Sequence, residues 1–126
     1  VLPVWASAKD IALALIAPLP VRANSDADMT QGKSLYRQCR ACHMPAQNSV
    51  GPKHCGLVGR TAASVPDYNY SPAMKKSGIT WTPEALDRFL DHPSAVVPGN
   101  YMPFAGIHDR QDRADLITYL ASLTCP

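Results

Sequence analysis

The chain has 126 residues, of which 46% are hydrophobic and 12 are prolines. This length suits one small domain, and the prolines predict that loops form much of it. The formal charge of +2 at pH 7 is too small to indicate nucleic-acid binding on its own.

Residues 1–23 have the pattern of a targeting segment. Lys9 precedes an apolar run over 11–19, and a small-x-small sequence at 21–23 is typical of a signal cleavage site. The run is too short and too interrupted by proline for a membrane span. We therefore expect a signal peptide remnant at 1–23, a domain at 24–126 and, in a bacterium, export to the periplasm. A retained membrane anchor and an ordinary terminal extension stay open as alternatives.

The first predicted helix runs from Asp26 to Gln38. Ser25, Asp26 or Asp28 can cap it, because their side-chain oxygens accept hydrogen bonds from free N–H groups at a helix start. The helix leads directly into the most informative motif of the chain.

That motif is Cys39-x-x-Cys42-His43, the sequence that attaches haem covalently. On a helical turn, residues three and four apart share one face, so both thiols and the imidazole can reach one ligand. Half of a zinc site and a thioredoxin-like redox pair are the alternatives. Zinc needs four ligands and no second C-x-x-C follows, while the redox pair needs a βαβ pattern that is absent. Haem attachment is therefore favoured.

Three further helices are predicted downstream of a glycine- and proline-rich loop region. Ser71-Pro72 starts one that reaches about Lys76, and Thr82-Pro83 starts one that reaches about Asp91 and is stopped by Pro93. After a loop over 96–107, apolar residues at helical spacing predict a last helix over 109–123. No strand pattern is present. A small all-α domain with this much loop has a thin core, which a large apolar cofactor would fill.

Charges are unevenly distributed along the chain. Residues 32–80 contain seven basic side chains and one acidic one, whereas residues 81–126 contain three basic and six acidic ones. The segregation predicts a molecular dipole that can steer a charged partner.

A set of short motifs occurs in a fixed order: Gly32-x-x-x-Tyr36, Cys39-x-x-Cys42-His43, Gly51-Pro52, Gly56 to Arg60, Gly78 to Trp81, Pro98 to Ile107 and Arg113 to Leu120. With these motifs the chain resembles the class I c-type cytochromes, the group of bacterial cytochrome c2 and mitochondrial cytochrome c. The resemblance covers nearly all of residues 26–123. It implies the small all-α cytochrome c fold, in which the N- and C-terminal helices cross and short helices and loops wrap one covalent haem.

The resemblance implies a haem c attached through Cys39 and Cys42, with His43 and Met102 as the two axial iron ligands. Such a pair closes both axial positions and raises the reduction potential, which favours electron transfer over enzymatic chemistry. Gly32 and Tyr36 would pack on Leu116 and Tyr119 of the last helix. Further cofactor-binding residues implied by the resemblance are Pro52, whose carbonyl would hold the His43 ring, Arg60, Tyr70 and Trp81 around one haem propionate, Asn100 near the other, and Phe104 at the haem edge.

Some positions depart from the family pattern. His54 stands where an apolar residue is usual, and it can be a buried neutral histidine, a surface histidine or a rival iron ligand. Cys55 and Cys125 remain after haem attachment. An even leftover pair in an exported chain suggests a disulfide, and in the family fold the two segments lie near each other.

The resulting expectation is a soluble periplasmic one-electron carrier, monomeric and without nucleic-acid binding. It would exchange electrons with redox protein partners, often membrane complexes or dehydrogenases. Basic residues near an exposed haem edge would steer acidic partners; the candidates are Lys33, Arg37, Lys53, Lys75 and Lys76. The alternatives are a haem protein with an open or labile sixth site that acts as a peroxidase or gas sensor, and a dedicated cytochrome subunit of a dehydrogenase.

Overall fold

A computed structural model describes residues 27–126, and the signal peptide predicted at 1–23 lies outside the described residues. Within them, the only extended pairing is a single antiparallel bridge between Thr61 and Thr80. The predicted all-α class is therefore confirmed. The helices are α1 (Met29–Leu35), α2 (Arg37–Arg40), α3 (Pro72–Lys76), α4 (Pro83–Asp91), α5 (Pro93–Val96) and α6 (Arg110–Ala121).

The first helix begins three residues later than predicted. The Asp28 carboxylate accepts hydrogen bonds from the backbone N–H groups of Thr30 and Gln31, so Asp28 is the cap among the candidates named. The backbone stays helical through Tyr36, which links α1 to α2. Helical structure therefore extends past the predicted end at Gln38 and carries Cys39 on the last helical turn.

Helix α1 crosses α6 at a very short distance. A Cβ atom at Gly32 would collide with the backbone carbonyl of Asp115 and would lie 2.9 Å from the Cβ of Tyr119. The Tyr36 ring packs on the Tyr119 ring, with centroids 5.1 Å apart, and Leu116 is fully buried beside them. The predicted packing of Gly32 and Tyr36 on the last helix is confirmed, and it requires a residue without a side chain at position 32.

Helices α3 and α4 match their predicted bounds. The hydroxyl groups of Ser71 and Thr82 accept hydrogen bonds from the third residue of each helix, and proline follows each cap. Pro93 does follow the end of α4, but it also opens the short helix α5, which the sequence pattern did not predict. Proline ends one helix and begins the next for the same reason. It lacks the backbone N–H, which is required in the interior of a helix but not in its first turn.

The segment after His43 is joined to the C-terminus. Cys55 and Cys125 form a disulfide with their Cα atoms 4.9 Å apart, as predicted. Next to it, the Gly56 N–H donates a 2.8 Å hydrogen bond to the Leu123 carbonyl. Among residues 27–126, no helix combines the length and hydrophobicity needed to cross a bilayer.

Candidate haem site

One largely apolar cavity lies between α2, α4 and the long loops. All the cofactor-binding residues implied by the sequence line it: Cys39, Cys42, His43, Pro52, Arg60, Tyr70, Trp81, Asn100, Met102 and Phe104. The fold thus brings together side chains that are spread over more than 60 positions of the sequence. Their contacts show what each of them can do there.

The His43 ring is fixed in one tautomer. Its Nδ1 lies 2.8 Å from the Pro52 carbonyl oxygen, which can only accept, so Nδ1 carries the proton. The Nε2 lone pair is then free to bind a metal. Gly51 lies against the ring so closely that a Cβ atom there would overlap it. Burial is the main cause that lowers the pKa of His43, which favours the neutral form that a metal binds.

The two cysteines of the motif lie on one helical turn. The N–H groups of Cys42 and His43 both donate to the Cys39 carbonyl, at 3.1 and 2.8 Å. Burial, and then the neighbouring Cys42, raises the pKa of the Cys39 thiol to about 11. Redox-active C-x-x-C pairs have the opposite property, a lowered thiol pKa. The redox alternative is therefore disfavoured.

The zinc alternative is disfavoured by geometry. Across residues 27–126, ligand atoms of three or more His, Cys, Asp or Glu side chains converge at Asp91, His92 and His108 and not at the C-x-x-C-H turn. Zinc takes four close ligands. The turn therefore suits covalent attachment of a larger group better than coordination of a bare ion.

Met102 is held on a braced loop. Its N–H donates to the Asn100 side-chain oxygen at 2.7 Å, and its carbonyl accepts from the Phe104 N–H at 2.9 Å. The Asn100 amide nitrogen donates to the carbonyls of Pro93 (3.2 Å) and Val97 (2.9 Å). Both N–H bonds of this amide therefore bind carbonyls at the start and the end of α5, which differs from the expected contact with a propionate. In the described structure Asn100 positions Met102.

Three side chains around the cavity keep free hydrogen-bond donors. Arg60 donates through Nη1 to the Cys55 carbonyl and through Nη2 to the Lys53 carbonyl, which leaves further N–H bonds unused. The Tyr70 hydroxyl oxygen accepts from the Val65 N–H at 3.2 Å, so its own hydrogen remains available.

The third donor is the indole of Trp81, for whose N–H the described part of the chain provides no acceptor. Backbone pairing places Trp81 beside Arg60, since the backbone N–H of Trp81 donates to the Arg60 carbonyl at 2.8 Å. Donors left free in a largely apolar cavity call for an acceptor, and a carboxylate is a good one. The residues present therefore fit a haem, whose propionates carry such carboxylates.

His54 is a buried histidine with 8% of its surface exposed, so the surface interpretation is wrong. Its Nδ1 lies 2.9 Å from the Tyr36 hydroxyl oxygen. Burial, followed by His43 and Arg60, lowers its pKa to about 3, so the ring is neutral at pH 7. Because it stacks on the His43 ring, it lies beside His43 and not across the cavity from it, which disfavours the rival-ligand interpretation.

Some lining residues were not assigned to the site from the sequence. The apolar face of α4 lines the cavity through Leu86, Phe89 and Leu90. The helical periodicity of these three residues is the sequence signal that could have assigned them to the site. Tyr68 also lines the cavity, and its hydroxyl donates to the Val50 carbonyl at 2.7 Å, which ties two loops together. No sequence pattern pointed to that contact.

An all-α cavity with a C-x-x-C-H turn, a tautomer-fixed imidazole and free N–H and O–H groups that can donate to a carboxylate defines a covalent-haem protein. The chain belongs to the cytochrome c family: the family model described as Cytochrome c matches residues 29–124. The resemblance predicted from the motifs is thereby confirmed. Members of this family carry one covalent haem c on cysteines, and here Cys39 and Cys42 are present for it.

Individual proteins that are similar to this chain are also c-type cytochromes. Cytochrome c2 of Rhodomicrobium vannielii is 46% identical over 98 residues, which cover 75% of this chain and 78% of the relative. Cytochrome c2 of Rhodopila globiformis is 46% identical over 99 residues, covering 76% and 93%. The solved structure of cytochrome cH from Methylobacterium extorquens superposes with a TM-score of 0.72 at 40% identity, covering 74% of this chain and 96% of that one.

Proposed function

We propose that this chain is a one-electron carrier whose haem iron is bound by His43 and Met102. The observation that carries the proposal is the pair of preset ligands in one cavity. Pro52 leaves the His43 Nε2 free, and the Asn100 amide braces the loop that presents Met102. The cytochrome c2 relatives support a carrier and not an enzyme. When bound, haem c supplies a ferric/ferrous couple that takes up and releases one electron.

The protein side chains would then bind the iron and stabilise a buried propionate. His43 and Met102 would both bind the iron, which would leave no iron position open for a substrate. Arg60, Tyr70 and Trp81 would donate their free hydrogens to a buried propionate, lowering the cost of burying its charge.

The apolar face of α4 would exclude water from the cofactor. Leu86, Phe89 and Leu90 lie on that face and are all buried. A low-dielectric surrounding changes the relative free energies of the two iron charge states, so this face also affects the reduction potential. Phe104, which lines the same cavity, would shield the haem edge.

We further propose that the carrier works in the periplasm and docks transiently with redox proteins. The signal-like sequence at 1–23 supports export. The basic side chains of residues 32–80 support docking with acidic partners, and Lys33, Arg37, Lys75 and Lys76 are all exposed. Redox encounters of this kind use small interfaces.

The optical spectrum of the oxidised holoprotein tests the ligand pair. A weak near-infrared sulfur–iron band, together with a reversible one-electron redox titration, is the expected result. A missing band with high-spin features would contradict the proposal and favour the open-site alternative, a peroxidase or gas sensor. Rapid binding of carbon monoxide by the reduced protein would point the same way.

A further inference from the structure

We propose that Asp91, His92 and His108 form a surface site for a divalent transition-metal cation such as Zn²⁺, separate from the haem. The three residues meet where α4 ends and where the Met102 loop reaches α6. None of them lines the haem cavity.

The three ligand atoms already stand close to coordination geometry. The Nδ1 atoms of His108 and His92 lie 3.1 and 3.3 Å from the same Asp91 oxygen, Oδ1. All the ligand atoms lie within 4.8 Å of one another. In a tetrahedral zinc site, with bonds of about 2.0–2.2 Å, neighbouring ligand atoms are roughly 3.3–3.5 Å apart. A cation could therefore enter with small side-chain rotations.

The backbone under the site is tightly fixed. The Ile107 N–H donates to the Leu90 carbonyl at 2.8 Å. A Cβ atom at Gly106 would collide with the Asp91 carbonyl, so the loop lies directly on the end of α4. The buried Arg113 Nη1 donates to the Ile107 and His108 carbonyls at 3.1 and 2.9 Å. Ligands on such a preorganised backbone lose little conformational entropy when a metal binds.

Electrostatics permit a cation despite the nearby arginine. Arg113 Nη1 lies 3.5 Å from the Asp91 Oδ1. The positive charge of this guanidinium by itself would repel a metal. However, Arg113 Nε is paired with the Asp87 carboxylate at 2.7 Å. That pair is close to neutral as a whole, so the negative charge of Asp91 is left to attract the cation.

The donor set selects the class of metal. Imidazole nitrogens suit Zn²⁺, Ni²⁺ and Cu²⁺, whereas Mg²⁺ and Ca²⁺ prefer oxygen ligands. The His92 and His108 side chains are 60% and 61% exposed, so water can complete the coordination sphere. The competing explanation is that both rings merely hydrogen-bond to Asp91.

Calorimetric titration of the oxidised holoprotein with Zn²⁺ separates these explanations. Wild type is expected to bind one equivalent, and His92→Gln and His108→Gln should each weaken binding at least tenfold. Glu84→Gln is the control, because it removes an exposed carboxylate at the opposite end of α4. Absence of saturable binding below millimolar Zn²⁺ would overturn the site. Zn²⁺ binding that is weakened in only one of the two histidine variants, or in neither, would also overturn the site.

A variant-free measurement uses the reduced protein, whose haem would be low-spin and diamagnetic under the ligation proposed above. In its ¹H–¹⁵N spectra the imidazole signals of His92 and His108 should shift together on addition of Zn²⁺ and stay unchanged with Mg²⁺. The signals of the buried His54 should not move. Shifts that spread over other residues and leave His92 and His108 unaffected would refute the assignment.

Discussion

The imidazole of His54 lies nearly parallel to that of His43, with ring centroids 3.9 Å apart and planes inclined by 17°. The Tyr36 hydroxyl, 2.9 Å from Nδ1, holds the His54 ring in this position. Two contacts therefore orient His43. The Pro52 carbonyl fixes its edge and the His54 ring covers its face.

Burial of His54 predicts that stability falls in acid. Its pKa is lowered from 6.5 to about 3 in the folded protein, mainly by burial. Below pH 6.5 the unfolded chain binds a proton that the native chain takes up only near pH 3. Stability is therefore lost as pH falls through that window, by at most about 1.4 kcal/mol per pH unit. Urea unfolding of the holoprotein between pH 4 and 7 measures this slope.

His54→Leu should reduce that slope, because one of the two buried histidines whose pKa rises on unfolding is gone and His43 remains. His92→Gln, which changes an exposed histidine, is the matched control and should keep the wild-type slope. Identical slopes for wild type and His54→Leu would show that another group controls the acid response.

Removal of Met102 should open the sixth iron position. Met102→Ala is expected to lose the near-infrared band and to lower the reduction potential by about 0.1–0.3 V, within the ~0.8 V range that axial ligands span. Azide should then bind the oxidised protein. Met44→Ala, at an exposed methionine, should behave like wild type. An unchanged spectrum in Met102→Ala would exclude this residue as a ligand.

Gly32→Ala sets two effects against each other. Alanine favours a helix over glycine by about 1 kcal/mol. The added Cβ, however, would collide with the Asp115 carbonyl, and overpacking of this kind costs about 1–3 kcal/mol. We expect a net loss of up to about 2 kcal/mol in the free energy of unfolding, measured with denaturant. Ser34→Ala, at an exposed position of α1, is a control that raises helix propensity by a smaller amount without a clash, and a more stable Gly32→Ala would contradict the close crossing.

Loss of the Cys55–Cys125 disulfide should lower stability by about 2–4 kcal/mol, because it releases a loop spanning 70 residues in the unfolded chain. The variant that replaces both cysteines with alanine would show this in urea unfolding. Reductant should shift the wild-type midpoint and leave the variant unaffected. Detection of two reactive thiols in the native, unreduced holoprotein would refute the bond.

The basic surface should make electron transfer depend on salt. Oxidation by an anionic iron complex is expected to slow as salt rises, since screening lengths fall from about 30 Å at 0.01 M to about 10 Å at 0.1 M. A cationic complex should show the reverse trend. Replacing Lys75 and Lys76 with alanine should weaken both trends more than replacing Arg110 does. Salt-independent rates would exclude steering.

Local chemistry explains what the sequence could predict. The Ser71-Pro72 and Thr82-Pro83 pairs contain both the cap and the first helical residue, so α3 and α4 follow from a few neighbouring positions. The spacing of the C-x-x-C-H motif likewise places both thiols and the imidazole on one face of a helical turn.

Contacts between distant segments explain what the sequence could not predict. Nothing near Asn100 indicates that its amide would bond to Pro93 and Val97. The environment of His54 depends on Tyr36, which lies 18 residues earlier. The start of α5 at Pro93 was missed because proline both ends helices and begins them.

The disulfide also determines what happens when the chain is cut. Any single break between residues 56 and 124 separates the segment with the C-x-x-C-H turn from some or all of the C-terminal part, yet the two pieces stay covalently joined. For a break before residue 102, His43 and Met102 would lie on different pieces of one tethered molecule. Their reassociation is then unimolecular, at a high effective concentration. A nicked protein should therefore run as one species until it is reduced.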